Sequence, residues 1–202
     1  MISCFKGKFK VTSPRGYRTL GGKEEYHGGL DLVGIDDKTV YAIADGIVDA
    51  VPYEANGFGY YVRQKLPDGR RIYYGHMAKG SIVVKAGQNI KVGDKLGRMG
   101  NTGNSTGAHT HVEIRVKGTS KTSLDITEFT GIPNKIGTYE YKEVTNMRFK
   151  DLSKEHFAAE ATEKLAELGI IEGYPDGTIR VDEPITRGEV FALEARKMEV
   201  FK

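Results

Sequence analysis

GNTGNSTGAHTHVEI, residues 100–114, is the stretch on which the reading of this chain turns. His109 and His111 stand two apart at the head of a β-like run, and alternate residues of a strand share a face. Their imidazoles therefore project into one space, while Val112 and Ile114 turn to the other side. Two histidines on one strand face are costly to bury without a ligand or an acidic partner. The competing reading is a solvated polar sheet face, which needs neither. Gly100, Gly103 and Gly107 just upstream let the backbone pass close to whatever the histidines hold.

Working outward, the same texture continues. TVYAI (39–43), GIVDAVPY (46–53), GYYVRQKL (59–66), RRIYYGHM (70–77) and SIVVKAG (81–87) are short β-like runs separated by glycine turns. LPDGRR (66–71) reads as a hairpin connection, with Asp68 and Gly69 at the turn. No helical period appears before residue 120, which excludes a doubly wound α/β fold. The expectation is a mainly β domain built on an antiparallel sheet.

Composition narrows the function classes. The 202 residues are 39% hydrophobic and 28% charged, as in an ordinary globular protein, and the 26 glycines with no tryptophan suit a turn-rich fold. A net charge of +3 is too small to argue for nucleic acid. One cysteine, Cys4, excludes an intrachain disulfide and a thiolate metal cluster, and no histidine near it in sequence would make it a nucleophile. No apolar run approaches a membrane span, so no membrane partner is expected. The first residues lack the apolar core of a secretory signal, which predicts synthesis in a cytoplasm without a signal peptide.

Beyond Lys117 the chain becomes polar and threonine-rich. It holds a short element around Asp125–Phe129 and breaks at Gly131, Pro133 and Gly137. Domain boundaries are placed at 1–133 for the β domain, 134–146 for a linker and 147–202 for a small α-helical module; Met147 could also start a short internal product. In that module Phe157, Ala161, Leu165 and Leu168 fall at helical spacing before Gly169. A second helix opens at Thr186, where Thr186 and Glu189 form a capping box and Val190, Leu193 and Met198 an apolar face. About 55 residues is marginal for an independent core, so the module is expected to lean on a neighbour or on copies of itself.

Four of the five histidines lie in the β domain. His27 and Asp31, in YHGGLDL, would stand about 13 Å apart on a straight strand. Sharing one metal requires a bend, which Gly28 and Gly29 permit. Alone, this spacing reads more readily as a turn with an incidental histidine than as a metal pair. A hydrolytic zinc site uses three protein ligands and keeps a fourth position open, and His27, Asp31 and one of His109 and His111 would make such a set. The remaining histidines, including His76 at the end of RIYYGHM, could then serve as general base and transition-state stabiliser. Spacing leaves open which of His109 and His111 meets the metal.

TSPRGYR (12–18), HGGLD (27–31), DGIV (45–48), GFG (57–59), YGH (74–76) and GNTGNSTGAHTHVE (100–113) together resemble the motif series of the LytM/lysostaphin-type zinc endopeptidases, over roughly residues 8–130. The resemblance implies an antiparallel β-sheet with an open groove and a single Zn2+ held by His27, Asp31 and His111. It also implies His76 and His109 as the catalytic pair. Glu113 supports the histidine strand from behind, or is an exposed strand carboxylate; Arg18 is structural or substrate-binding. Phe58 stands where the family usually has a tyrosine, and Tyr60 or Tyr61 is the replacement hydroxyl to look for. FKDLSKEHFAAEATEKLAELGIIEGYPDGTIRVDEPITRGE (149–189) resembles a single S-layer-homology module. This implies attachment to a secondary cell-wall polysaccharide through Arg187, and a possible homo-oligomer.

The implied activity is cleavage of peptide bonds in peptidoglycan stem or cross-bridge peptides at the bacterial cell wall, in the manner of a phage endolysin lysing its host. The alternatives are a bacterial autolysin of the same chemistry and a non-catalytic wall scaffold or hydrolase activator. Inactive domains of this type lack metal ligands, whereas every such position is filled here. A zinc amidase would share the metal but fits the motifs poorly.

Overall fold

The computed structural model describes residues 2–116, 122–141, 148–153 and 156–200. They fall in two compact units, Met1–Lys142 and Glu143–Lys202. The first unit is almost entirely β. Its strands are β1 (Gly7–Ser13), β2 (Gly16–Leu20), β3 (Lys23–His27), β4 (Leu30–Gly34), β5 (Thr39–Tyr41), β6 (Gly46–Ala50) and β7 (Tyr53–Glu54). They continue with β8 (Gly59–Lys65), β9 (Arg71–Met77), β10 (Asn89–Ile90), β11 (Lys95–Arg98), β12 (Thr110–Arg115), β13 (Ser123–Leu124) and β14 (Gly137–Tyr141). One short helix, α1 (Ile126–Thr130), is capped by the Asp125 carboxylate, which accepts from Thr127 N.

The principal sheet runs β10-β6-β8-β9-β12-β4-β1-β14, with β13 on β12 and β7 on β8; β5–β11 and β2–β3 form separate two-stranded sheets. All pairings are antiparallel. Alternation along the central strands explains the core. Val112 and Ile114 of β12 lie opposite Tyr74 and Ile72 of β9, and all four are buried. The Tyr74 hydroxyl donates to Gln64 Oε1 at 2.8 Å and accepts from Ile43 N at 3.0 Å, so the polar end of this buried ring is satisfied. Leu66–Arg71 is the expected hairpin connection, with Gly69 at φ +87°. SIVVKAG is a loop rather than a strand.

The segment expected as a linker, 134–146, instead holds β14. Tyr139 packs on Phe9, and both Tyr139 and Tyr141 lie against the core, so an aromatic alternation inside a polar stretch extends the sheet past residue 133. Residues 142–147, and with them Met147, lie outside the described residues.

The second unit has α2 (Ala159–Glu167) and α3 (Arg187–Val200). The capping box is present: Glu189 N donates to Thr186 Oγ1 at 3.2 Å, and Thr186 N donates to Glu189 Oε2 at 2.8 Å. The residues at helical spacing are not the ones that α2 buries. Ala159, Thr162 and Ala166 are buried, whereas Phe157 is 91% exposed and Leu165 and Leu168 are partly so. Small side chains let α2 approach the Phe149–Leu152 turn, which leaves the larger ones outside. On α3 no residue is buried; Val190, Phe191 and Met198 face outward.

Candidate metal centre

Three short segments converge on one point. β3 ends on His27, Gly28 and Gly29 turn the chain, and β4 carries Asp31 directly across from His111 of β12. His27 Nε2 lies 3.0 Å from Asp31 Oδ1 and 2.9 Å from His111 Nδ1, and His111 Nδ1 lies 2.9 Å from Asp31 Oδ1. All three residues are buried. The outer nitrogens are held by acceptors: His27 Nδ1 faces the Pro14 carbonyl at 2.8 Å, and His111 Nε2 faces Glu113 Oε2 at 3.3 Å. In its neutral form each imidazole keeps its proton on that outer nitrogen and leaves the inner one as a lone pair, so two imidazoles and a carboxylate present a converging donor set that fits a divalent ion.

Gly29 is there for close approach. A Cβ on it would stand 2.3 Å from the Val112 carbonyl oxygen and 2.9 Å from His111 Nε2. Because that oxygen is backbone, Gly29→Ala is expected to cost about 2–3 kcal/mol and to lower the melting temperature. An unchanged melting temperature would contradict this packing.

Asp31 is further organised by Arg18, which donates from Nη1 to Asp31 Oδ2 at 3.2 Å and to Ser13 Oγ at 2.8 Å while pairing with Glu25. Glu113 is buried and takes both a 2.8 Å Nε and a 2.8 Å Nη2 bond from Arg115, which itself lies over Phe58 and Tyr73. Glu113 thus stands behind His111 and is not an exposed strand carboxylate.

His76 arrives by an irregular route. By alternation from Ile72 and Tyr74 it would enter the core. Between the Val62↔Tyr74 and Tyr60↔Met77 pairs, β9 carries one extra residue, and His76 sits at φ +58°. This bulge turns its ring to the site face and returns Met77 to the core. His76 Nδ1 donates to the Thr102 carbonyl at 2.8 Å, which leaves Nε2 bearing the lone pair. His109 packs against it, ring centroids 4.6 Å apart, with Nδ1 on the Gly107 carbonyl at 2.8 Å and Nε2 3.4 Å from Asp31 Oδ1. The glycine-rich loop therefore positions both histidines through its carbonyls.

Electrostatics separate these groups. Burial, reinforced by the neighbouring His109 and His111, pushes the His76 pKa down to about 4 against the Thr102 bond, so the ring is neutral at pH 7. At His111 burial also disfavours the charge, but the hydrogen bonds and charges of Asp31 and Glu113 outweigh it and raise the pKa to about 9. Burial opposes ionisation of Asp31; the bonds from His109, His111 and His27 override it and hold the carboxyl far below the usual range. A metal needs neutral His111, so below pH 9 it competes with a proton, and affinity falls about tenfold per unit of pH. Calorimetric metal titrations at pH 7 in buffers of different ionisation enthalpy are expected to show about one proton released per chain; identical heats would refute the competition.

A cleft of about 550 Å³ adjoins the centre, lined by Arg15, Tyr17, Tyr26, Phe58, Glu113 and Arg115 beside His27 and His111. Phe58 packs on His111, ring centroids 5.4 Å apart. The Tyr61 hydroxyl donates to Glu54 at 2.7 Å, and the Tyr60 ring packs tilted against Tyr53; neither is among the residues lining the cleft. Buried Cys4 is far from nucleophilic, its thiol pKa pushed well up by burial. In the second unit Arg187 is exposed at the first turn of α3, and His156 bonds Asp182 at 3.2 Å. Arg15, Tyr17 and Tyr26 are cleft residues that sequence reasoning did not single out; TSPRGYR and the strand after it carry all three.

Comparison with known proteins agrees with this geometry. Residues 25–123 match Peptidase family M23, and residues 148–191 match the S-layer homology domain. An uncharacterized metalloprotease of Haemophilus influenzae is 35% identical over 114 residues, 56% of this chain and 24% of that protein. The peptidoglycan DD-endopeptidase ShyC of Vibrio cholerae is 32% identical over 110 residues, 54% of this chain and 24% of that protein. The murein hydrolase activator NlpD of Escherichia coli is 33% identical over 106 residues, 52% of this chain and 27% of that protein. The chain thus spans about a quarter of the length of these curated relatives. The catalytic domain of the antimicrobial peptidase lysostaphin from Staphylococcus simulans superposes with a TM-score of 0.55 at 29% identity, covering 60% of this chain and 91% of that one. The chain carries a peptidase family M23 domain of lysostaphin-like, mainly β architecture, followed by an S-layer homology domain.

Proposed function

We propose that this protein is a zinc-dependent endopeptidase that cleaves peptide bonds in peptidoglycan and is held on the cell wall by its second unit. The observation that carries the reading is the triangle of His27 Nε2, Asp31 Oδ1 and His111 Nδ1, with two further histidines beside it. Nitrogen and carboxylate donors in a set of three suit zinc. Bound there, zinc supplies Lewis acidity toward a peptide carbonyl and toward water. His76, neutral at pH 7 with its lone pair on Nε2, takes up the proton that attack on the carbonyl releases. His109, fixed at Nδ1 by Gly107, presents Nε2 beside Asp31 and steadies the charge that develops. Arg18 and Glu113 position Asp31 and His111.

Mass spectrometry of products from purified peptidoglycan tests this. New amino groups on a stem or cross-bridge residue are expected; freed lactyl-linked peptides would mean an amidase. No release at all would favour the activator reading, which the NlpD likeness supports and the filled triangle opposes. A holin-like gene beside this one would mark a phage endolysin rather than an autolysin.

For the second unit, Arg187 stands at the positive end of α3 without an anionic partner among the described residues, so an anionic wall polysaccharide is the proposed ligand. The outward Phe157, Leu165, Phe191 and Met198 are the proposed contact with a second copy. The full chain is expected to sediment with purified wall and to exceed monomer mass in light scattering at micromolar concentration. A chain ending before residue 148 should do neither, yet still cleave soluble peptides; loss of that cleavage would contradict the division of labour.

A further inference from the structure

Arg15 sits in the turn between β1 and β2, one residue after Pro14, whose carbonyl accepts the His27 Nδ1 proton. Its backbone is clamped: its N–H donates to Asn134 Oδ1 at 2.7 Å, and its carbonyl accepts from Asn134 Nδ2 at 3.0 Å. The guanidinium lies over the Tyr26 ring, 5.4 Å from its centroid, and donates from Nη2 to the Ser123 carbonyl at 2.9 Å. Nε is buried without a partner. Among the described residues no carboxylate pairs with Arg15. The other two arginines of the region are neutralised, Arg18 by Asp31 and Glu25, and Arg115 by Glu113. Of the cleft's lining residues Glu113 is the carboxylate, and it is already taken by Arg115 and His111.

A half-buried guanidinium without a counter-ion costs desolvation free energy that two neutral contacts do not offset. We infer that Arg15 recognises a carboxylate of the peptide substrate, so that the cleft selects acidic peptides over amidated ones. The inference rests on the peptidoglycan peptidase reading, and stem peptides carry such carboxylates. Arginine suits the task because its planar fork binds a carboxylate through two donors, and Tyr26 holds the plane of the fork in the cleft. Arg15 is a binding residue set one peptide unit from the carbonyl that orients a metal-facing histidine; nothing places it among the groups that move protons.

The test uses the full chain, metal-loaded, and two soluble stem peptides: one with free carboxylates, the other identical but amidated at each. The wild type is expected to prefer the acidic peptide by about tenfold in kcat/KM, mostly through KM. Arg15→Gln should bring that ratio to about one with metal content unchanged, and Arg15→Lys should keep part of it as a point charge. A wild-type ratio near one overturns the inference, as does an undiminished ratio in Arg15→Gln. Should Arg15→Gln fail to fold, Arg15→Lys decides: a ratio equal to wild type overturns the fork recognition. Should the wild type cleave neither peptide, calorimetric binding of the same pair separates the two claims. Acid-selective binding lost in Arg15→Gln upholds Arg15 while hydrolysis fails, and unselective binding rejects Arg15 as well.

Discussion

Asp31→Ala is expected to remove metal and peptide cleavage together. Asp31 Oδ1 is the vertex shared by His27, His111 and His109, at 3.0, 2.9 and 3.4 Å, and it supplies the negative charge of the donor set. Without it two imidazoles remain, and both lose the carboxylate contact that helps to fix their orientation. The fall in zinc affinity is expected to exceed the roughly 10–100-fold that loss of a supporting hydrogen bond causes, as Glu113→Gln would show in parallel. Equilibrium dialysis followed by elemental analysis reads this directly. An Asp31→Ala protein that kept one tightly bound zinc would place the ion elsewhere.

His76→Ala separates the two roles. His76 contributes no atom to the triangle, and its Nδ1 is committed to Thr102, so metal content is expected to stay at the wild-type level. Cleavage should fall by about 10²–10⁴-fold, the usual contribution of a general base. Because burial and its neighbours keep this imidazole neutral down to about pH 4, the wild-type rate should show no loss attributable to His76 between pH 7 and 5. The raised His111 pKa works in the opposite sense, and metal loss on acidification is separated from it by holding zinc in excess. Near-normal turnover in His76→Ala would assign the proton transfer to another group, His109 being next to it at 4.6 Å.

The sheet and the gathering of histidines were legible because they depend on local rules. Two-residue spacing put His109 and His111 on one face, and the Asp68–Gly69 turn set a hairpin. What spacing could not decide was which of those two joins His27 and Asp31 in the donor triangle. The pairing of β12 with β4 sets His111 opposite Asp31, a contact 80 residues apart in sequence. His76 was named for its motif, but the bulge that turns it out of the core is a pairing irregularity with no local signal beyond Gly75. The reason for Gly29 was also different from the one expected. Neither Gly28 nor Gly29 adopts a positive φ; the constraint is the nearby Val112 carbonyl. In the second unit the spacing marked a helix, but not which side of it packs: Ala159, Thr162 and Ala166 make the close contact and the larger residues stay outside. β14 was missed because its two tyrosines alternate within an otherwise polar run.

A zinc-edge anomalous difference map from crystals grown with the metal tests the central claim most directly. One peak is expected, within about 2.0–2.2 Å of His27 Nε2, Asp31 Oδ1 and His111 Nδ1. A peak on other ligands, or none at that triangle at full metal loading, would contradict the account.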